Sequence, residues 1–116
     1  MRDDYESESM DPKLLAGTLD LLILESLVEG RSYGYAIAQH VRRISEERIL
    51  LKEGSLYPAL HKLERAGALK ADWGEEGGRR RKYYRLTAAG KKALQAKRSM
   101  WANFSGGMNK VLGLES

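Results

Sequence analysis

No cysteine occurs among the 116 residues of this chain. Disulfide staples and thiolate chemistry are therefore excluded, and an intracellular, cytoplasmic protein is the expectation. Histidine is scarce as well, with only His40 and His61. No carboxylate pair stands at a convincing spacing, so neither a metal site nor a nucleophile–base arrangement takes shape. An enzyme is not expected, nor is a cofactor. Long apolar runs are missing: the longest, TLDLLILESLV from Thr18 to Val28, is too short to span a bilayer and carries Asp20 and Glu25. The first residues are acidic and serine-rich, unlike the basic and apolar regions of a secretory signal. The stretch GEEGGR lacks the GxxxxGK[ST] spacing of a nucleotide-binding loop.

Charge is present in quantity and unevenly placed. The net charge is +4, yet residues 1–12 (MRDDYESESMDP) hold one Arg and five acids, a net of −4. The remainder keeps 19 basic and 11 acidic residues, a net of +8. An acidic, disordered tail over residues 1–13 ahead of a basic body is the expectation. A basic body suits a polyanionic partner, although basicity also serves solubility alone. At this length one domain is the simplest reading.

Leu14 to Glu29 reads as a first helix with Thr18 as N-cap and Asp20 favourably placed in its first turn. Leu19, Leu22, Ile23 and Leu27 form a stripe that Leu21, Leu24 and Val28 widen almost all round, as in a core or subunit-interface helix. Glu29-Gly30 stops it. A second helix is expected from Tyr33 to about Ser45, capped by Ser32, with Ile37, Val41 and Ile44 buried. Its Arg42 and Arg43 are lesser candidates for nucleic-acid backbone contacts, and His40 reads as a surface or boundary residue. Ile49 to Leu51 reads as a short β segment.

In EGSLYPALHKLERAG (Glu53 to Gly67), Leu56, Leu60, Leu63 and Gly67 keep helical time on one face. With Ser55 as N-cap, Pro58 occupies the third helical position, where an amide has no partner to lose. The proline thus marks a beginning, with some strain left on Tyr57 before it.

Leu69 to Trp73 alternates as a half-buried strand does, GEEGGRR makes a charged turn, and Lys82 to Leu86 returns as a second strand. Thr87 caps a last helix from Ala88, with Leu94, Trp101, Phe104, Met108, Val111 and Leu112 as its apolar stripe. Gly106-Gly107 weakens that helix by about 1 kcal/mol per residue, leaving a kink or an early end open. The expected fold is mainly α with a small β-hairpin: a winged helix-turn-helix over residues 14–86 and a long C-terminal dimerisation helix over residues 87–116.

In a helix-turn-helix the second helix enters the major groove. Ser55, Tyr57, Pro58, His61, Lys62 and Arg65 form its outward face and are the candidate base and phosphate contacts. Arg79, Arg80, Arg81 and Lys82, beside the glycine turn, are the candidate wing contacts with phosphates or the minor groove. A merely solvated helix face and a solvated charged loop are the blander alternatives. A winged helix serving as a protein-interaction module without specific DNA binding is the alternative function. A terminal helix bearing Trp101, Phe104, Met108 and Val111 has no evident use in one small domain unless a second copy covers it, and Leu22 joins them as a candidate interface residue.

The segments TLDLLILESLVEGRSYGYAIAQHV, EGSLYPALHKLERAGALKADW and RRRKYYRLTAAG, in this order and spacing, resemble the PadR family of bacterial winged-helix transcriptional regulators. The likeness runs from about Leu14 to Leu112 and is similar to the compact branch with one C-terminal helix. It implies a homodimer that binds inverted-repeat operators in double-stranded DNA, usually as a repressor, with the final and first helices at the dimer contact. It also implies that a small aromatic effector relieves repression in some members, with Trp101 as the candidate effector residue here.

Overall fold

In a computed structural model, the structure describes residues 12–114. The elements run α1 (Pro12–Ser26), β1 (Ser32–Tyr33), α2 (Gly34–Ile44), α3 (Glu53–Arg65), β2 (Leu69–Glu76), β3 (Arg79–Leu86) and α4 (Ala88–Leu112). The three strands form one antiparallel sheet in the order β1-β3-β2. This is a winged helix-turn-helix with a long last helix, as the sequence indicated. The expected acidic tail lies outside the described residues except for its last two positions, which begin α1.

One core holds the layers together. Leu19, Ile23, Leu24 and Leu27 of α1 meet Ile37 of α2, Leu56, Leu60 and Leu63 of α3, Leu69 and Tyr84 of the sheet, and Leu94 of α4. Full burial of each such side chain is worth about 2 kcal/mol. The i, i+4, i+7 spacing of the α3 leucines thus fixes which side of that helix faces outward.

Several local expectations are corrected. Thr18 is no N-cap, because α1 already runs through it from Pro12, and the helix ends at Ser26, before Glu29-Gly30. Ser32 does not cap α2 either: Ser32–Tyr33 is spent on β1, paired with Tyr84 and Tyr83, and the N-cap position is Tyr33 with no side-chain bond. Ile49 to Leu51 forms no strand; Leu51 packs on the core as irregular chain. Ile44 and Val28 are exposed rather than buried, Ile44 being the last residue of α2.

Helix α3 starts two residues before Ser55. Lys52 is its N-cap position, and the Leu56 amide donates to the Lys52 carbonyl at 2.8 Å. Pro58 is therefore its sixth residue, not its third, and the Gly54 carbonyl loses its intrahelical donor. Gly54 is exposed, so water replaces that donor and the cost stays below the roughly 3 kcal/mol of a mid-helix proline. Gly67 lies past the helix end, exposed, with φ +84, and is not part of the buried stripe.

The joint between the sheet and α4 explains the TAAG stretch. The Thr87 amide donates to the Ala68 carbonyl at 3.1 Å, and the Thr87 hydroxyl donates to the Gly67 carbonyl at 2.6 Å. The same hydroxyl accepts from the Gly90 amide at 3.0 Å, capping α4 as expected. Gly90 lies so close to the Ala68 carbonyl that any Cβ would overlap the oxygen. From there α4 continues unbroken through Gly106-Gly107 to Leu112. It closes at Gly113, φ +73, with the Leu114 amide donating to the Asn109 carbonyl at 2.8 Å. Arg98 of α4 holds Glu25 of α1 at 2.7 Å across the contact between the two helices.

Candidate nucleic-acid interface

The wing is longer and more ordered than a charged turn. Gly77 and Gly78, at φ +60 and +79, are the only residues between β2 and β3, a two-residue turn whose left-handed backbone only glycine adopts without penalty. That turn sets the register Glu76↔Arg79, Glu75↔Arg80, Gly74↔Arg81 and Trp73↔Lys82. Arg79 to Lys82 therefore belong to a strand, not to the loop, and the pleat sends them alternately to opposite faces. Arg79 and Arg81 share a face with Tyr83, while Arg80 and Lys82 share the other with buried Tyr84.

Aromatic rings occupy three of these cations. Arg81 lies 4.2 Å from the centre of the Tyr33 ring, Arg80 4.5 Å from that of Trp73, and Lys82 5.5 Å from that of Tyr84. Contacts of this kind contribute about 0.5–1 kcal/mol where exposed. Tyr33 packs edge-on against Tyr83 at 5.5 Å, and Arg31 caps the Tyr83 ring at 4.2 Å. Lys82 also reaches back to α3, where Glu64 holds its ammonium at 3.4 Å. Desolvation opposes the Lys82 charge, but Tyr84 and Glu64 outweigh it and its pKa lies above the ordinary value. Tyr83 is raised by its hydrogen bond to Glu76, at 2.9 Å, and Tyr84 by burial, with Lys82 opposing.

Strand β1 pairs only with Tyr83 and Tyr84. Beyond it the chain turns into α2, so among the described residues the β1-side edge of β3 has no strand partner from Lys82 to Arg79. This leaves a groove of about 550 Å³ between that edge and α3. Its walls are Tyr57 and His61 of α3, Arg79, Arg81, Lys82 and Tyr84 of β3, Tyr33 of β1, and Gly34 and Tyr35 at the start of α2. Three permanent cations and an imidazole thus line a concavity with no carboxylate in its walls among the described residues. The Arg81 Nε is buried there without a hydrogen-bond partner among the described residues. The arrangement suits an anion of extended shape, such as a nucleic-acid backbone.

The structure brings together only part of the residue set expected from the sequence. Tyr57, His61, Arg79, Arg81 and Lys82 share the groove. Ser55, Pro58, Lys62 and Arg65 are exposed on α3 outside it, and Arg80 is turned onto Trp73. Tyr57 does not simply point outward: its ring fills the space where a Cβ on Gly34 would stand, 2.6 Å away, and packs on the core. Tyr33, Gly34, Tyr35 and Tyr84 were missed as groove residues. The SYGY stretch held the signal, two tyrosines flanking a glycine at a helix start, but only the β1–β3 pairing shows where they face. Arg42 is tied to Glu47 at 3.5 Å, and His40 is half-buried.

On α4, Trp101, Phe104, Met108, Val111 and Leu112 are all exposed, from 43% to 84%. Only Leu94 of the expected stripe is buried within the chain. Trp101 and Phe104 lie ring to ring at 6.2 Å, and Leu22 on α1 is half-buried. No helix among the described residues is long and apolar enough to cross a membrane.

Known proteins share this architecture. The PadR-like family of transcriptional regulators matches residues 23–96. A transcriptional regulator structure from Clostridium thermocellum superposes with a TM-score of 0.78 at 39% identity, covering 84% of this chain and 96% of that one. A PadR family transcription regulator from Clostridium difficile superposes with a TM-score of 0.72 at 39% identity, covering 82% and 98%. A transcriptional regulator of Mycobacterium tuberculosis is 35% identical over 74 residues, 64% of this chain and 66% of the relative. The chain belongs to the PadR-like family of transcriptional regulators, DNA-binding proteins and not enzymes.

Proposed function

We propose that the protein is a homodimeric repressor that binds an inverted-repeat operator in double-stranded DNA. The observation that carries this reading is the cationic groove, free of carboxylates in its walls, that opens beside the outward face of α3. His61, Lys62, Arg65, Ser55 and Pro58 face the bases and nearest phosphates, with the Tyr57 hydroxyl at the groove wall. Arg79 and Arg81 hold the adjoining backbone. Burying the exposed Trp101, Phe104, Met108 and Val111 of α4 against a second copy, with Leu22 alongside, supports the dimer. The twofold axis would space the two α3 helices by one DNA turn, about 34 Å. Within that interface the Trp101–Phe104 pair offers flat aromatic surface to a small aromatic effector.

Footprinting on the DNA upstream of the protein's own coding region tests the reading. A protected site with twofold symmetry and half-sites one helical turn apart is expected. Protection of no fragment, together with capture of a protein partner by the same groove, would favour an interaction module instead.

A further inference from the structure

Of the three cations that line the groove, Lys82 alone is held by a carboxylate among the described residues. Its ammonium is 3.4 Å from the Glu64 carboxylate, and both side chains are about one-third exposed, at 33% and 36%. Lys62, Arg65 and Arg79, in contrast, have no ion pair or ring partner among the described residues. Glu64 also stands on α3 itself, three residues after His61 and between Lys62 and Arg65, the one acid in that stretch of the helix. An acid here repels the phosphates that its neighbours attract. Its position is unhelpful for affinity and becomes intelligible if affinity for arbitrary DNA is what it limits.

Resting on the DNA-binding reading above, we infer that Glu64 is a specificity-determining residue that holds Lys82 in an internal ion pair and so restrains binding to non-cognate DNA. Non-specific binding is almost wholly electrostatic and scales with the number of phosphates neutralised. In a loosely registered complex a released Lys82 can swing to whichever phosphate is nearest. In the registered complex Arg79, Arg81 and His61 already fill the groove with backbone, so the released lysine adds less. Glu64 therefore acts by penalising the wrong complex more than the right one.

The test measures binding of the full chain to the footprinted duplex and to a scrambled duplex of equal length, across a range of KCl concentrations. The variants are Glu64→Gln, Lys82→Met and the two combined, with Glu29→Gln as a remote acid control. For Glu64→Gln on scrambled DNA, which frees one Lys82 in each protomer of the dimer, the slope of log affinity against log salt should steepen by about 1.8. With convergence near 1 M salt, that corresponds to about sixtyfold tighter binding at 0.1 M. The ratio of specific to non-specific affinity should fall, and in the Lys82→Met background Glu64→Gln should keep less than half of its effect on the slope, the remainder being the direct repulsion of phosphate. An unchanged slope, an unchanged ratio, or a Glu64→Gln effect without Lys82 that keeps half or more of its size would overturn the inference. Failure of the unaltered chain to bind either duplex in a salt-sensitive way would instead overturn the DNA-binding reading on which it rests.

Discussion

Replacing Gly90 by alanine should destabilise the protein, although alanine is the better helix former. Propensity favours the change by up to about 1 kcal/mol. Against it, the new methyl would overlap the Ala68 carbonyl oxygen and press on Leu86, 3.2 Å away. Ala68 is backbone at the start of the wing and cannot rotate aside, so α4 and the sheet must separate. Three hydrogen bonds meet at that joint: the Thr87 amide to Ala68, the Thr87 hydroxyl to Gly67, and the Gly90 amide to the Thr87 hydroxyl. Losing or stretching them costs about 1 kcal/mol each. The net expectation is destabilisation by about 2 kcal/mol. Gly107→Ala supplies the internal control, since the same helix leaves nothing within 4 Å of a Cβ there. It should stabilise by up to about 1 kcal/mol. Equilibrium urea unfolding measures both, at one protein concentration so that mass action from association is the same for each variant. Equal effects of the same sign at the two positions would refute the close approach at Gly90.

Other consequences follow from the same geometry. Gly34→Ala should push the Tyr57 ring out of its place and weaken operator binding about tenfold, the cost of misplacing one good contact, with the salt slope unchanged; a duplex titration showing wild-type affinity would mean that Tyr57 is not positioned by Gly34. Trp101→Ala combined with Phe104→Ala should yield monomers in sedimentation, and a persistent dimer would move the interface off α4. Tyr83 and Tyr84 both have folded-state pKa values above the ordinary 10.0. Their contribution to stability is thus complete below that pH and lost as pH rises beyond it through the folded values. Tyrosinate absorbance should lag behind free tyrosine until unfolding, whereas full ionisation of all tyrosines near pH 10 in the folded protein would contradict the burial and bonding described here.

The sequence disclosed what depends on local pattern. The α3 leucines, the Thr87 cap, the order of helices and the presence of a hairpin all rest on spacing or on one residue's hydrogen bond. What it hid depends on partners far away in the chain. Ser32 looked like a helix cap because a two-residue strand has no periodicity, and only β3, some fifty residues on, makes it one. Ile49 to Leu51 looked like a strand because apolar residues that dock on a core need not be extended and paired. The wing reads too short in the sequence because charged residues are poor strand formers: GEEGGRR looks like one turn, whereas only Gly77-Gly78 turn and the ladder runs on to Glu76 and Arg79. For the same reason RRRK looked like one basic cluster. The pleat divides it, and Tyr33, Trp73 and Glu64 then give Arg81, Arg80 and Lys82 different surroundings.

The salt dependence of duplex binding tests the central claim most directly. If each protomer of a dimer brings Lys62, Arg65, Arg79 and Arg81 to phosphates, eight contacts form and the slope of log affinity against log salt should be about −7. A fragment from upstream of the coding region should show that slope and bind more tightly than a scrambled duplex at every salt concentration. Binding that ignores salt, or no binding to either duplex, would contradict the account.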